Sequence, residues 1–120
     1  MQAKMSMEGE IAVVHLSGRI DFDSADQFHE VVSNHLAGQK VVFDLTNLDF
    51  VGSNAITPFV RSLEVFRSQS GTPVPMFGVG PEFKKIFSAR PNLNALFFTD
   101  CREALMTFTE PAIDPSQTIG

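Results

Sequence analysis

Gly52-Ser53-Asn54 places a hydroxyl beside an amide between an apolar strand-like run and an amphipathic helical stripe. Val41, Val42, Phe43 and Leu45 make the run, the pattern of a strand covered on both faces. Ile56, Phe59, Val60, Leu63 and Phe66 recur at helical spacing, and Gly71 supplies the stop. Ser53 therefore sits at or near a helix N-terminus, where unpaired N–H groups and the helix dipole favour negative charge. The chemistry this suits is phosphate acceptance: a phosphoserine here changes what the surface can bind. Pro58 leaves the helix start open. Either the helix begins with Thr57 as N-cap and Pro58 as first residue, or it begins near Ser53 and is distorted.

Other groups able to do chemistry carry weaker patterns. Gly78-Val79-Gly80 follows a strand and opens a helix, but Phe83 stands where a dinucleotide-binding loop needs its third glycine. The expectation there is a tight turn with Pro81 as first helical residue. Ser53 lacks the Gly-x-Ser-x-Gly context of a nucleophile elbow. His15 falls in a strand, and His29 and His35 are six apart on one helix, on different faces. No His and carboxylate spacing resembles a metal site, so no metal or cofactor is expected. Cys101, in the first turn of the last helix, is either a passive residue or a thiol with a pKa lowered by the helix dipole. Arg61, Glu64 and Arg67 form the polar side of the second helix, available to a partner or simply solvated.

The elements that must position these groups follow from periodicity and turn residues. Strands are expected over about Lys4 to Glu8 and Ile11 to Leu16, joined by a hairpin-like turn at Glu8-Gly9-Glu10. Asp21-Phe22-Asp23-Ser24 leads into a first helix, with Ser24 and Gln27 as capping box and Ala25, Phe28, Val32 and Leu36 as buried stripe. Gly38 ends it. After the strand at Val41 to Leu45 and the second helix comes a strand at Val74 to Val79. Pro73 and Pro75 put that strand near an edge or delay its start. A third helix carries Phe83, Ile86 and Phe87, and Leu96 to Phe98 form a short strand. Asp100 with Glu103 caps a last helix bearing Ala104, Leu105 and Phe108. Residues 110–120 are aperiodic and read as a flexible tail.

Asp44-Leu45, followed by Leu48-Asp49-Phe50-Val51-Gly52-Ser53-Asn54-Ala55-Ile56, resembles the signature of STAS domains, and especially of the anti-sigma-factor antagonists. In that family a strand ending in Asp-Leu leads, through an apolar pair, to Asp-Ser-(Ser/Thr)-Gly-Leu at the start of a helix. The resemblance covers about residues 4 to 109. Gly52 stands where the family has aspartate, Asn54 where it has a second hydroxyl, and Ala55 where it has glycine.

The resemblance implies an α/β fold: a single STAS-like domain over residues 1–109, a mixed β-sheet of four to five strands, and helices packed mainly on one face. It implies phosphorylation at Ser53 by an anti-sigma factor that is also a serine kinase of the histidine-kinase-like ATPase type. A PP2C-type phosphatase would reset it. Asp23, Ser24, Gly52, Ser53, Asn54, Thr57 and Arg61 are the expected partner-binding residues. The alternative is a STAS scaffold without phosphorylation, in a signalling assembly or as an accessory subunit of a lipid or anion transporter. Neither reading is an enzyme.

Composition bounds the rest. The 120 residues make room for one domain, and 43% hydrophobic content suits a packed core. A formal net charge of −5 argues against a nucleic-acid surface. The single cysteine excludes an internal disulfide. No stretch reads as a signal peptide or a membrane span, so the expected location is cytoplasmic. The twelve phenylalanines, without Tyr or Trp, are assigned mostly to the core.

Overall fold

The computed structural model describes residues 1–36, 38–49, 52–71 and 73–109, with residues 22, 52–55 and 109 described by their backbone alone. The expected tail at 110–120 lies outside the described residues. Five strands form one sheet in the order of the sequence: β1 (Gln2–Glu8), β2 (Ile11–Arg19), β3 (Lys40–Asp49), β4 (Val74–Phe77) and β5 (Ala95–Phe98). β1 runs antiparallel to β2 through a two-residue turn, where Gly9 takes φ +64°. All other neighbours are parallel. Parallel neighbours need crossovers, and helices supply them: α1 (Phe22–Val31), α2 (Gly52–Ser70) and α3 (Pro81–Ser88), with α4 (Cys101–Thr109) last.

Alternation along the strands sorts the two faces. Ala12, Val14 and Leu16 of β2 and Val41, Phe43 and Leu45 of β3 point to the face covered by α1, α2 and α3. Phenylalanine rings run through this core from helix to sheet to helix. Phe28 lies 5.0 Å from Phe59 and 6.2 Å from Phe43, and Phe43 meets Phe66 edge-on at 5.6 Å. Phe59 then reaches Phe87 at 6.5 Å. Each such ring, fully buried, contributes about 1.5–3 kcal/mol. The opposite face has a smaller core of Ile11, Val13, Val42 and Ala104, roofed by α4. The fold is the single-domain α/β arrangement expected, with five strands and most helices on one face.

Local departures from the sequence reading have identifiable causes. α1 starts three residues early: Asp21, not Ser24, is the N-cap, and Ser24 replaces Gln27 as the residue that closes the capping box. The helix gives way to a π-helical turn at Val32–Leu36 before Gly38 takes φ +79°. β3 runs on past Leu45, because after an irregularity between His15 and Ser17 the residues Asn47, Leu48 and Asp49 find partners in Ser17, Gly18 and Arg19. β4 ends at Phe77, not Val79, since Gly78 leaves extended geometry at φ +70°. β4 is not an edge strand; it lies between β3 and β5. Its prolines instead delay pairing, which reaches β3 only at Met76 and Phe77.

Candidate functional site

Parallel pairing brings two helix starts to one end of the sheet. Arg19 and Asp49 are register partners at the ends of β2 and β3, and the chain enters α1 and α2 within three residues of each. In open α/β sheets this carboxyl end is where ligands and partners gather. Gly52, Ser53 and Asn54 are the first three residues of α2, so Ser53 lies in the turn whose N–H groups have no intrahelical acceptor. The helix thus begins near Ser53, and Pro58 is its seventh residue. Phe50 and Val51 lie outside the described residues.

Pro58 removes one hydrogen bond from the helix and crowds the carbonyl one turn back. Its own carbonyl accepts from the Ser62 hydroxyl at 3.0 Å, and His29 Nδ1 of α1 lies 3.2 Å from Ser62 Oγ. Ser62 is fully buried, so its hydroxyl must be satisfied within the protein. This trio joins α1 to the interrupted turn of α2.

At the start of α1 the expected residues divide. Asp23 is exposed in the first turn. Ser24 is buried, and its hydroxyl donates to the Asp21 carboxylate at 2.7 Å while accepting from the Asp21 N–H at 3.0 Å. The Ser24 hydroxyl and the Ser24 N–H, at 2.8 Å, both donate to the Asp21 carboxyl and hold it below its ordinary value. Ser24 serves the Asp21 cap from inside the helix, and the exposed carboxylates of Asp21 and Asp23 form the outward surface.

Thr57 and Arg61, one turn apart on α2, are both exposed. Arg61 lies over a cleft of about 110 Å³ between the helices, lined also by Ala25, Asp26, His29, Pro58 and Ser62. Further along, Arg61 and Arg67 flank a groove of about 570 Å³ that reaches Pro91 and Asn92. Glu64 in this groove is gripped by Arg90 through two hydrogen bonds, at 2.9 and 3.1 Å. Arg90 thereby holds the Glu64 carboxyl below its usual range. Of the three polar residues expected on this face, Glu64 is already partnered within the domain.

Two other expectations resolve. Gly80 is the N-cap of α3 and Pro81 its first residue, the tight turn expected. For Cys101 burial pushes the thiol pKa up, and Glu8, Asp44 and Asp100 add to the effect, opposite to the lowering a helix dipole would give. One arrangement escaped the sequence reading. Ser6 Oγ, His15 Nε2, His15 Nδ1 and Asp44 Oδ2 form a hydrogen-bonded chain across β1, β2 and β3, with contacts of 3.1 and 2.7 Å. Its signal was register, since Asp44 is the partner of His15. Its order resembles a nucleophile–base–acid relay, but acyl transfer also needs converging oxyanion donors, and every residue of β1 is exposed. We read it as a cross-strand brace. Among the described residues no helix is long and apolar enough to cross a membrane.

A family model described as the STAS domain matches residues 2–103. The chain belongs to the STAS family. This STAS domain is similar in fold to an anti-sigma factor antagonist from Mycobacterium paratuberculosis, with a TM-score of 0.68 and 18% identity, covering 90% of this chain and 93% of that one. The phosphorylated form of the Bacillus cell fate determinant SpoIIAA gives a TM-score of 0.62 at 16% identity, covering 87% and 96%. The murine anion transporter Slc26a9 gives 0.61 at 10% identity, covering 84% of the STAS domain here and 18% of the transporter. No curated protein sequence matches the chain. At these identities the likeness is one of fold.

Proposed function

We propose that this STAS domain is a non-catalytic, cytoplasmic protein-binding module that acts as an anti-sigma-factor antagonist. Its partner is an anti-sigma factor that is also a serine kinase of the histidine-kinase-like ATPase type. Ser53 is the residue that kinase phosphorylates, and a PP2C-type phosphatase reverses the modification. The observation that carries this reading is the position of Ser53 as second residue of α2, at the carboxyl end of the sheet. Phosphate there meets the helix dipole and free N–H groups, so the modified form costs the fold little. The same phosphate adds roughly −1.5 to −2 charge to a surface formed with Asp23, Gly52, Asn54, Thr57 and Arg61, which repels the bound partner. Peptide mass spectrometry on the protein from its own cells tests this. Occupancy at Ser53 that changes with growth condition supports the switch; a chain unmodified in every condition refutes it.

Gly52, Asn54 and Ala55, in place of the family's aspartate, hydroxyl residue and glycine, favour a second reading. In it the domain is a fixed scaffold in a signalling assembly or an accessory subunit of a transporter, binding through the α2 face without phosphate; the fold likeness to part of an anion transporter supports the latter setting. Copurification with a permease or transport ATPase, rather than a kinase, would select it.

A further inference from the structure

β1 is an edge strand of seven residues, and all seven are exposed. Its outer backbone groups face solvent, a row of donors and acceptors that another strand can pair with. Natural edges are blunted by proline, bulges, a cover or charged side chains; Gln2–Glu8 is regular along its whole ladder with β2 and has only Lys4 and Glu8 as charges, which are of opposite sign. Its side chains alternate. Lys4, Ser6 and Glu8 lie on the face that carries His15 and Val13, their ladder partners. Ala3, Met5 and Met7 lie on the helix face beyond the cover of α1. Met5 and Met7 are each 54% exposed, two of the three large apolar side chains described as exposed. Beside them a groove runs between β1 and the end of α1, with Met5, Val14, Val31 and Leu36 as its apolar lining and Lys4 and His35 also on its wall.

We propose that β1 is a dimerisation edge, and that its occupant is the β1 of a second copy, antiparallel, with the two-fold axis at Ser6. The argument is self-complementarity. With the axis at Ser6, Lys4 of each copy stands opposite Glu8 of the other, which makes two opposite-charge pairs from one sequence. Met5 stands opposite Met7 twice on the other face, so four methionines meet beside the two grooves that Met5 lines. Methionine is suited to filling such irregular gaps. Neighbouring registers lose this match. An axis at Met5 pairs Lys4 with Ser6 and Glu8 with Gln2. An axis at Lys4 sets that lysine against itself, and an axis at Met7 carries Lys4 past the strand into the turn at Glu10. The product is a continuous ten-stranded sheet with both helical layers on one side and both α2 N-termini free.

Sedimentation equilibrium on the full chain, from about 5 µM to about 500 µM, covers the affinity expected of so small an interface. The wild type should shift from 13.2 kDa toward twice that mass. Lys4→Glu alone and Glu8→Lys alone each turn two attractive pairs into repulsive ones, and should weaken the dimer by about ten-fold or more. The double variant restores opposite charges and should recover near wild-type association. Lys4 and Glu8 are both exposed, so melting of the monomers by circular dichroism should be unchanged. A monomer across the whole range overturns the proposal. So does a dimer indifferent to the single reversals, or a double variant that stays as weak as the singles.

Discussion

His15 Nδ1 and Asp44 Oδ2 lie 2.7 Å apart across the β2–β3 ladder, and the other carboxylate oxygen of Asp44 accepts from both the N–H and the hydroxyl of Thr46. Burial pushes the Asp44 carboxyl up, and these hydrogen bonds from Thr46 and His15 outweigh it, leaving its pKa below the ordinary value. A carboxyl depressed in the folded state stabilises fully above its unfolded pKa of about 3.9, and that contribution disappears as pH falls through the folded pKa. Asp44→Asn should therefore cost about 1–2 kcal/mol at neutral pH, with the difference from wild type shrinking in acid. Urea midpoints at neutral pH and near pH 3 check this. An equal difference at both would show that the charge on Asp44 is irrelevant.

Gly78 allows the β4–α3 turn to close onto β3. It holds φ +70°, and a Cβ there would collide with Thr46 Oγ1 and come within 2.8 Å of Thr46 Cα. Gly78→Ala should destabilise by at least about 3 kcal/mol, from left-handed strain added to overpacking. Trimming the neighbour with Thr46→Ala should not rescue it, because the Thr46 backbone is also in the way. Recovery of the melting temperature in the double variant would refute this account.

Phe59 stands between Phe28 and Phe87 and shows no exposed surface. Phe59→Ala should cost about 3–5 kcal/mol, while Phe59→Leu, which keeps most of the volume, should cost markedly less. Chemical denaturation of the three proteins measures the series. Similar losses for both variants would mean that ring contacts, not filled volume, dominate.

Ser53→Asp should weaken binding of the kinase partner by at least about ten-fold without altering the melting temperature, because negative charge suits the helix start but opposes the interface. Ser53→Ala should bind and resist phosphorylation. Calorimetric titration separates these outcomes, and undiminished binding by Ser53→Asp would sink the proposed switch.

The sequence was readable wherever a residue's own chemistry sets the local conformation. Gly80-Pro81 announces the start of α3, Asp100 caps α4 by accepting from the Glu103 N–H at 2.9 Å, and the apolar stripe from Ile56 to Phe66 fixes the buried face of α2. It misled where two local solutions compete. Asp21 and Ser24 are both capping residues, and the chain adopted the earlier cap because Ser24 then closes the box from inside and is buried.

Pro58 marks the clearest division between the two kinds of information. Local preference alone allowed a helix beginning at that proline. The structure carries the helix back to Gly52, where burial of Ile56 and Phe59 supports the turn, the Ser62 hydroxyl donates to the Pro58 carbonyl, and His29 meets Ser62 Oγ. What the sequence by itself determined was the order of elements, the apolar faces and the chemistry available at Ser53. Beyond the β1–β2 hairpin, only tertiary structure decided which strands are neighbours, and with that the His15–Asp44 brace, the common end shared by α1 and α2, and the bare edge of β1. Periodicity reports which face of an element is buried; it is silent on what lies across from it, because pairing is a long-range choice made by the whole core.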